Sequence, residues 1–117
     1  MIGATGSISS NGHGVQVWIA SAPVDLRKSF DGLAEVVRAF LGHDPLSGNL
    51  FVFRNRSGQR VKVLWWDKNG LALYYKRLER GTFALPTPAA GDKAVTISAA
   101  DLASLLAGGV VQVSRAR

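Results

Sequence analysis

Cysteine is absent from this 117-residue chain, which excludes disulfides, thiolate zinc sites and cysteine nucleophiles at once. Histidine is scarce. His13 lies in a Gly/Ser-rich stretch and His43 in a turn ahead of Asp44, so neither reads as a metal ligand or a catalytic base. No apolar run approaches the roughly 20 residues of a membrane helix, and the N-terminus lacks the basic region and apolar core of a secretory signal. The chain therefore reads as cytoplasmic, with no membrane partner. Walker-type and dinucleotide-type glycine loops are missing too, and no cofactor or metal is implied. Acidic residues are few: eight Asp and Glu stand against fourteen Lys and Arg, for a net charge of +6 and a pI near 10.3. In so small a protein that excess favours a polyanionic partner, with a merely solvated charged face as the bland alternative.

The material that is present is globular. Hydrophobic residues make up 47% and charged residues 19%, and the length suits one domain with one core. Residues 1–14, MIGATGSISSNGHG, are too poor in apolar side chains to offset ordering entropy and read as a flexible leader. Val15, Val17 and Ile19 alternate with polar positions, giving a first strand with Trp18 on its other face. From Asp25 to Leu41 the period changes. Phe30, Leu33, Ala34, Val37, Phe40 and Leu41 form one helical stripe, with Asp25 as expected N-cap and Gly42 as expected stop. Gly32 inside that helix implies close backbone packing or a bend.

Short strands follow from Leu50, separated by loops at Gly58, Gly70 and Gly81, which implies an antiparallel meander of four or five strands. Ser98 then reads as the N-cap of a closing helix, with Asp101 three residues on and Leu102, Leu105 and Leu106 buried. Residues 15–109 make the expected domain. Residues 110–117 are either an edge strand or a basic tail. The fold class is α+β.

The turn Asp67-Lys68-Asn69-Gly70 decides which side chains share a face. A three-residue loop with Gly70 left-handed groups Val61, Val63 and Trp65 with Leu71, Leu73 and Tyr75, a coherent core layer. The opposite face then carries Arg60, Lys62, Trp66, Tyr74 and Lys76. Cations neutralise phosphates, and exposed rings stack on unpaired bases. Arg54, Arg56 and Arg60 flank one loop, and Lys76, Arg77 and Arg80 cluster at the far end of the next strand. Alternatively, Trp66 and Tyr74 form a second apolar layer under the closing helix, with the lysine stems snorkelling at its margin. Catalysis has less support. A two-metal nuclease needs convergent carboxylates, and the best trio, Asp31, Asp67 and Glu79, has no spacing that demands convergence.

The blocks VQVWIASAPVDLRKSFDGLAEVV and DPLSGNLFVFRNRSGQRVKVLWWDKNGLALYYKRLERGTFALP, with the closing LASLLAGG, resemble the accessory proteins called TnpB of the insertion sequence 66 transposon family. The likeness covers Val15 to Gly108. It implies a protein that assists transposition beside a separate, larger transposase, which carries the catalytic carboxylates, and beside another accessory protein of the same element. It implies no enzyme activity, and it assigns no role to the family-like residues Arg27, Lys28, Asp31, Gly32, Trp65, Trp66 and Asp67. The expectation is a non-catalytic factor contacting DNA at transposon ends through Arg54, Arg56, Arg60, Lys62, Lys76, Arg77 and Arg80, with Trp66 and Tyr74 as stacking candidates and Arg27 and Lys28 adding to the patch. The alternative is a protein-interaction module that binds the transposase or the other accessory subunit.

Overall fold

The computed structural model describes residues 14–110, so the expected leader and C-terminal tail fall outside the described residues apart from Gly14 and Val110. Strand β1 (Val17–Ala20) is followed by helix α1 (Phe30–Val36), which continues as a π-helical turn over Val37–Leu41. Then come β2 (Leu50–Arg54), β3 (Arg60–Asp67), β4 (Gly70–Arg77), β5 (Ala94–Ile97) and helix α2 (Ala99–Leu106). The strands form one sheet in the order β4-β3-β2-β1-β5. The α+β class holds, and β2, β3 and β4 are the antiparallel meander, three strands instead of the four or five expected. The complete sheet is mixed, because β1 lies parallel to β2 and antiparallel to β5. The Lys93–Ile97 stretch, which supplies β5, was missed in the sequence despite its three consecutive β-branched residues, Val95, Thr96 and Ile97.

Both faces of the sheet are covered. On one, Leu102, Leu105 and Leu106 of α2 pack with Val17, Ile19, Leu50, Val52, Val61, Val63 and Trp65. On the other, Leu33, Ala34, Val37 and Leu41 pack with Ala20, Phe51, Phe53 and Leu64. Two-sided burial explains why Leu50–Phe53 and Val61–Trp65 are buried at every position, since inner strands of a covered sheet lose the polar-out alternation.

That same feature defeats the expected hairpin register. Asp67 pairs with Gly70, Trp65 with Ala72, Val63 with Tyr74 and Val61 with Lys76, so the loop has two residues, Lys68 and Asn69. The left-handed residue is Lys68 at φ +59, not Gly70. Tyr74 and Lys76 therefore share the α2 face with Val61, Val63 and Trp65. Leu71, Leu73 and Tyr75 share the α1 face with Arg60, Lys62, Leu64 and Trp66. Grouping apolar with apolar failed because Lys76 belongs to a core face: its Nζ donates to the Leu106 carbonyl at 2.7 Å, at the carbonyl end of α2, where a cation is favoured.

Helix α1 also starts later than expected. Asp25 is not its N-cap but closes an earlier turn, where its Oδ1 accepts from the Arg27 backbone N–H at 3.0 Å and its carbonyl from Lys28 at 3.1 Å. Ser29 occupies the cap position without a side-chain bond. Phe30 and Phe40 leave the expected stripe at 44% and 37% exposure. Phe30 opens the first turn, and the wider π turn carries Phe40 off the buried side. Gly42 ends the helix at φ +71, as expected.

The Ser98 cap is present, its Oγ accepting from Asp101 N–H at 3.0 Å. Replacing Ser98 with Ala should cost about 1 kcal/mol in urea unfolding.

Gly32 is explained by neither another backbone nor a bend. A Cβ there would sit 3.0 Å from Lys28 Cβ, which the backbone holds in place, and 3.2 Å from Lys28 Cγ, and the Lys28 carbonyl is the acceptor for Lys62 Nζ at 2.7 Å. Helix propensity alone would make Gly32→Ala stabilising by about 1 kcal/mol. We expect the opposite sign, a loss of roughly 1 kcal/mol, because overpacking displaces Lys28; equilibrium urea melts of the two proteins decide it.

Candidate nucleic-acid interface

The proposed basic face does not exist as a face. Lys62 is 7% exposed, its ammonium bonded to the Lys28 carbonyl and lying 4.7 Å from the Tyr75 ring centroid. Lys76 is taken up by α2. Tyr74 is half-buried against the α2-side core, and half-buried Trp66 lies on the other side of the sheet. Lys62, Lys76, Trp66 and Tyr74 therefore do not form one exposed surface.

The arginines converge instead on one end of the sheet. The parallel β1 and β2 place Ala20 and Arg54 at the same end. Arg60 opens β3 there, and Arg60 pairs with Arg77 at the close of β4. Ala20 pairs with Ala94, which brings Lys93 to the same end. Arg56 occupies the β2–β3 loop, and Arg80 lies between Arg77 and Phe83, whose N–H donates to the Gly58 carbonyl at 2.9 Å. Lys93, 5.7 Å from the Phe40 ring centroid, was missed because β5 was missed.

The β2–β3 loop is held firmly. Asn55 Oδ1 accepts from Arg60 N–H at 3.0 Å, and its Nδ2 donates to Ser57 Oγ at 3.2 Å. The Gly58 N–H donates to the Asn55 carbonyl at 3.1 Å, and Leu78 N–H to the Gln59 carbonyl at 2.9 Å. Gly58 takes φ +78 with Thr82 against it, where an added Cβ would meet Thr82 Cβ at 3.4 Å. Two cavities flank this loop, of ≈ 250 Å³ and ≈ 490 Å³, and Arg56 and Ser57 line both.

Charge compensation divides the arginines. Arg27 pairs with Asp25 at 2.8 Å, Arg38 with Glu35 at 3.3 Å and Arg77 with Glu79 at 3.1 Å. Arg54, Arg56, Arg60 and Arg80 have no carboxylate at ion-pair distance among the described residues. Arg60 Nη1 donates to Tyr75 Oη at 2.6 Å. Arg54 reaches only the Asn55 and Ser21 carbonyls, at 3.4 and 3.5 Å, long for such bonds, so its fork of five N–H donors has capacity to spare. Lys28 remains exposed beside the paired Arg27.

Asp31, Asp67 and Glu79 do not converge. Asp67 sits at the hairpin turn and Glu79 beyond Arg77, at opposite ends of β4. Among the described residues no three His, Asp or Glu side chains are placed to hold a metal ion. Nor is any helix of the described residues long and apolar enough to cross a membrane.

With this geometry established, relatives place the chain. The family model described as IS66 Orf2 like protein matches residues 15–116. The chain belongs to that family. Its role is accordingly that of an accessory protein associated with transposition. The chain is 48% identical over 98 residues to the uncharacterized protein y4hO of Sinorhizobium fredii, with 84% of each chain covered. It is 36% identical over 96 residues to the uncharacterized protein y4jC of the same organism, covering 82% of this chain and 80% of that one. No solved structure matches. In this IS66 Orf2-like chain the family-like Arg27 and Lys28 thus belong to a turn, where Asp25 neutralises one of them and the Lys28 carbonyl anchors Lys62.

The Arg27 guanidinium and backbone N–H hold the Asp25 carboxyl down from 3.8 to about 2, and Asp25 in turn raises Arg27. Because the folded value lies below the unfolded one, the stabilisation is complete above about pH 3.8 and is lost as pH falls through about 2. A carboxyl carbon NMR titration should give an Asp25 midpoint near 2, moving only part of the way up to the ordinary Asp range in an Arg27→Ala variant, which keeps the backbone N–H bond to Asp25.

Proposed function

We propose that this IS66 Orf2-like protein is a non-catalytic DNA-contacting factor that acts beside a separate transposase at transposon ends, gripping phosphates with the arginines at one sheet end. The observation that carries the reading is the gathering of Arg54, Arg56, Arg60 and Arg80 at that end without carboxylate partners among the described residues. Cations consumed by internal bonds, such as Lys62 and Lys76, neutralise nothing outside. Uncompensated guanidinium groups on a rigid loop and on strand ends suit phosphate oxygens in charge and in fork geometry.

The exposure of Phe30, Phe40 and Tyr75 favours a second reading, in which the α1 side binds the transposase or the other accessory protein through aromatic anchors. Salt separates the two. Phosphate binding weakens linearly on logarithmic axes as salt rises, whereas an aromatic contact changes little.

The test is binding to labelled transposon-end and scrambled duplexes across a salt series. An Arg56→Ala, Arg80→Ala double variant should bind about tenfold more weakly at low salt and lower the salt slope by roughly two. A Lys62→Met variant should bind as the parent does. Weak, salt-independent binding, or equal loss in both variants, would count against the phosphate reading.

A further inference from the structure

The smaller of the two cavities has a chemistry of its own. It opens beyond the carboxyl ends of β1 and β2, the parallel pair of the sheet, the location where open sheets receive ligands. Its lining combines apolar side chains, Phe83, Leu85 and Pro86 among them, with the cationic Arg54 and Arg56. Ser21, Ser57 and Thr82 add hydroxyl groups to it. No carboxylate lines it. The larger cavity, by contrast, includes Asp25, whose lowered pKa keeps a negative charge there.

Its volume, ≈ 250 Å³, is below the roughly 300–1,000 Å³ of a drug-sized pocket, leaving room for about one planar ring system. An apolar lining shared with a guanidinium that has unused donors is what a nucleotide matches: a ring to keep from water and a phosphate to bind. The site is also preformed, since Gly58 is closed in by Thr82 and tied to Phe83.

We propose that this cavity takes one unpaired nucleotide of a DNA strand, its base against Phe83, Leu85 and Pro86 and its phosphate on Arg54 and Arg56. The proposal rests on the DNA-contacting reading and sharpens it from duplex phosphates in general to a strand with a displaced or single-stranded base.

Two measurements test it. In the first, amide NMR shifts of the full chain are followed during titration with a deoxynucleoside 5′-monophosphate, the corresponding deoxynucleoside, and inorganic phosphate. The monophosphate should move Ser21, Ser57, Gly58 and Thr82, and each half alone should move them less. In the second, fluorescence anisotropy compares a perfect duplex with the same duplex carrying one unpaired nucleotide. The bulged duplex should bind about 5- to 150-fold more tightly, the range expected of one well-housed base.

Thr87 is an exposed lining residue, and Thr87→Trp adds bulk to the cavity without changing charge. It should erase the bulge preference and leave affinity for the perfect duplex within about twofold, because the phosphate charges are unaltered. Pro88→Trp, at another lining position, serves if Thr87→Trp loses its folded NMR spectrum. Equal affinity for bulged and perfect duplexes would overturn the cavity proposal while leaving the DNA reading intact. Monophosphate shifts without a bulge preference would assign the cavity to free nucleotides and overturn the strand form. Absence of binding to every DNA would remove both readings together.

Discussion

Parallel pairing of β1 with β2 is the constraint from which the rest of the molecule follows. Val17 lies beside Leu50, Trp18 beside Phe51 and Ile19 beside Val52. Two parallel neighbours cannot be joined by a tight turn, so the intervening chain must cross the sheet. That crossing is α1. It runs from the β3–β4 side, where the Lys28 carbonyl holds Lys62, to the β1–β5 side, where His43 rests 4.3 Å from the Trp18 ring. One face is thereby closed. The other is left for α2, and the strands between are buried on both sides. Parallel pairing also sets two carboxyl ends, Ala20 and Arg54, side by side. An antiparallel β1 would have placed Ala20 beside the start of β2, and the cavity between Ser21, Arg54 and Phe83 would not form.

The fate of each cation follows from its chemistry. Lys62 and Lys76 stand in the middle of well-paired strands, where the long stem can lie on apolar surface while a compact ammonium turns to a single carbonyl. Both do so, at 2.7 Å. Each satisfies a carbonyl, one in the turn before α1 and one in the last turn of α2, so both lysines fasten helices to the sheet. The arginines occupy strand ends and loops, where a planar fork is not forced into the core. Basic composition alone makes no such division, and the +6 charge overstates what is available to a partner.

The elements with one buried side were the legible ones. For α2, Ser98, Asp101, the Leu102, Leu105 and Leu106 stripe and the terminal Gly108 all agreed with one another and with the structure. The first strand was legible from the alternation of Val17 and Ile19, although Trp18 and Ala20 pack on the other covered side of the sheet. The β3–β4 register was not. Once both faces are buried, Val61–Trp65 is apolar or lysine throughout, and parity carries no information. Asp25 misled because a carboxylate that accepts from a backbone N–H two residues on has the same sequence appearance as a helix cap. The arginines of the sheet end were readable as residues but not as a place: the common position of Arg54, Arg56, Arg60, Arg77 and Arg80 depends on strand directions that no local pattern encodes.

A sheet end differs from a sheet face in a way that bears on nucleic acid. Across this end the order is Arg77, Arg60, Arg54, Ser21 and Lys93, one position per strand. Neighbouring strands are about 4.8 Å apart, so the row is about 19 Å long. The row holds four cations, so a strand laid along it has no more than about four phosphates neutralised. A face, in contrast, offers its cations in two dimensions and engages a curved duplex only along the strip that touches it. The interruption of the row at Ser21 falls where the smaller cavity opens. Under the proposed reading, the strand is held by charge on either side of a gap in which charge gives way to hydroxyls and an apolar wall. A phosphate chain drawn across that gap has its base, not its backbone, as the group the protein can accommodate there.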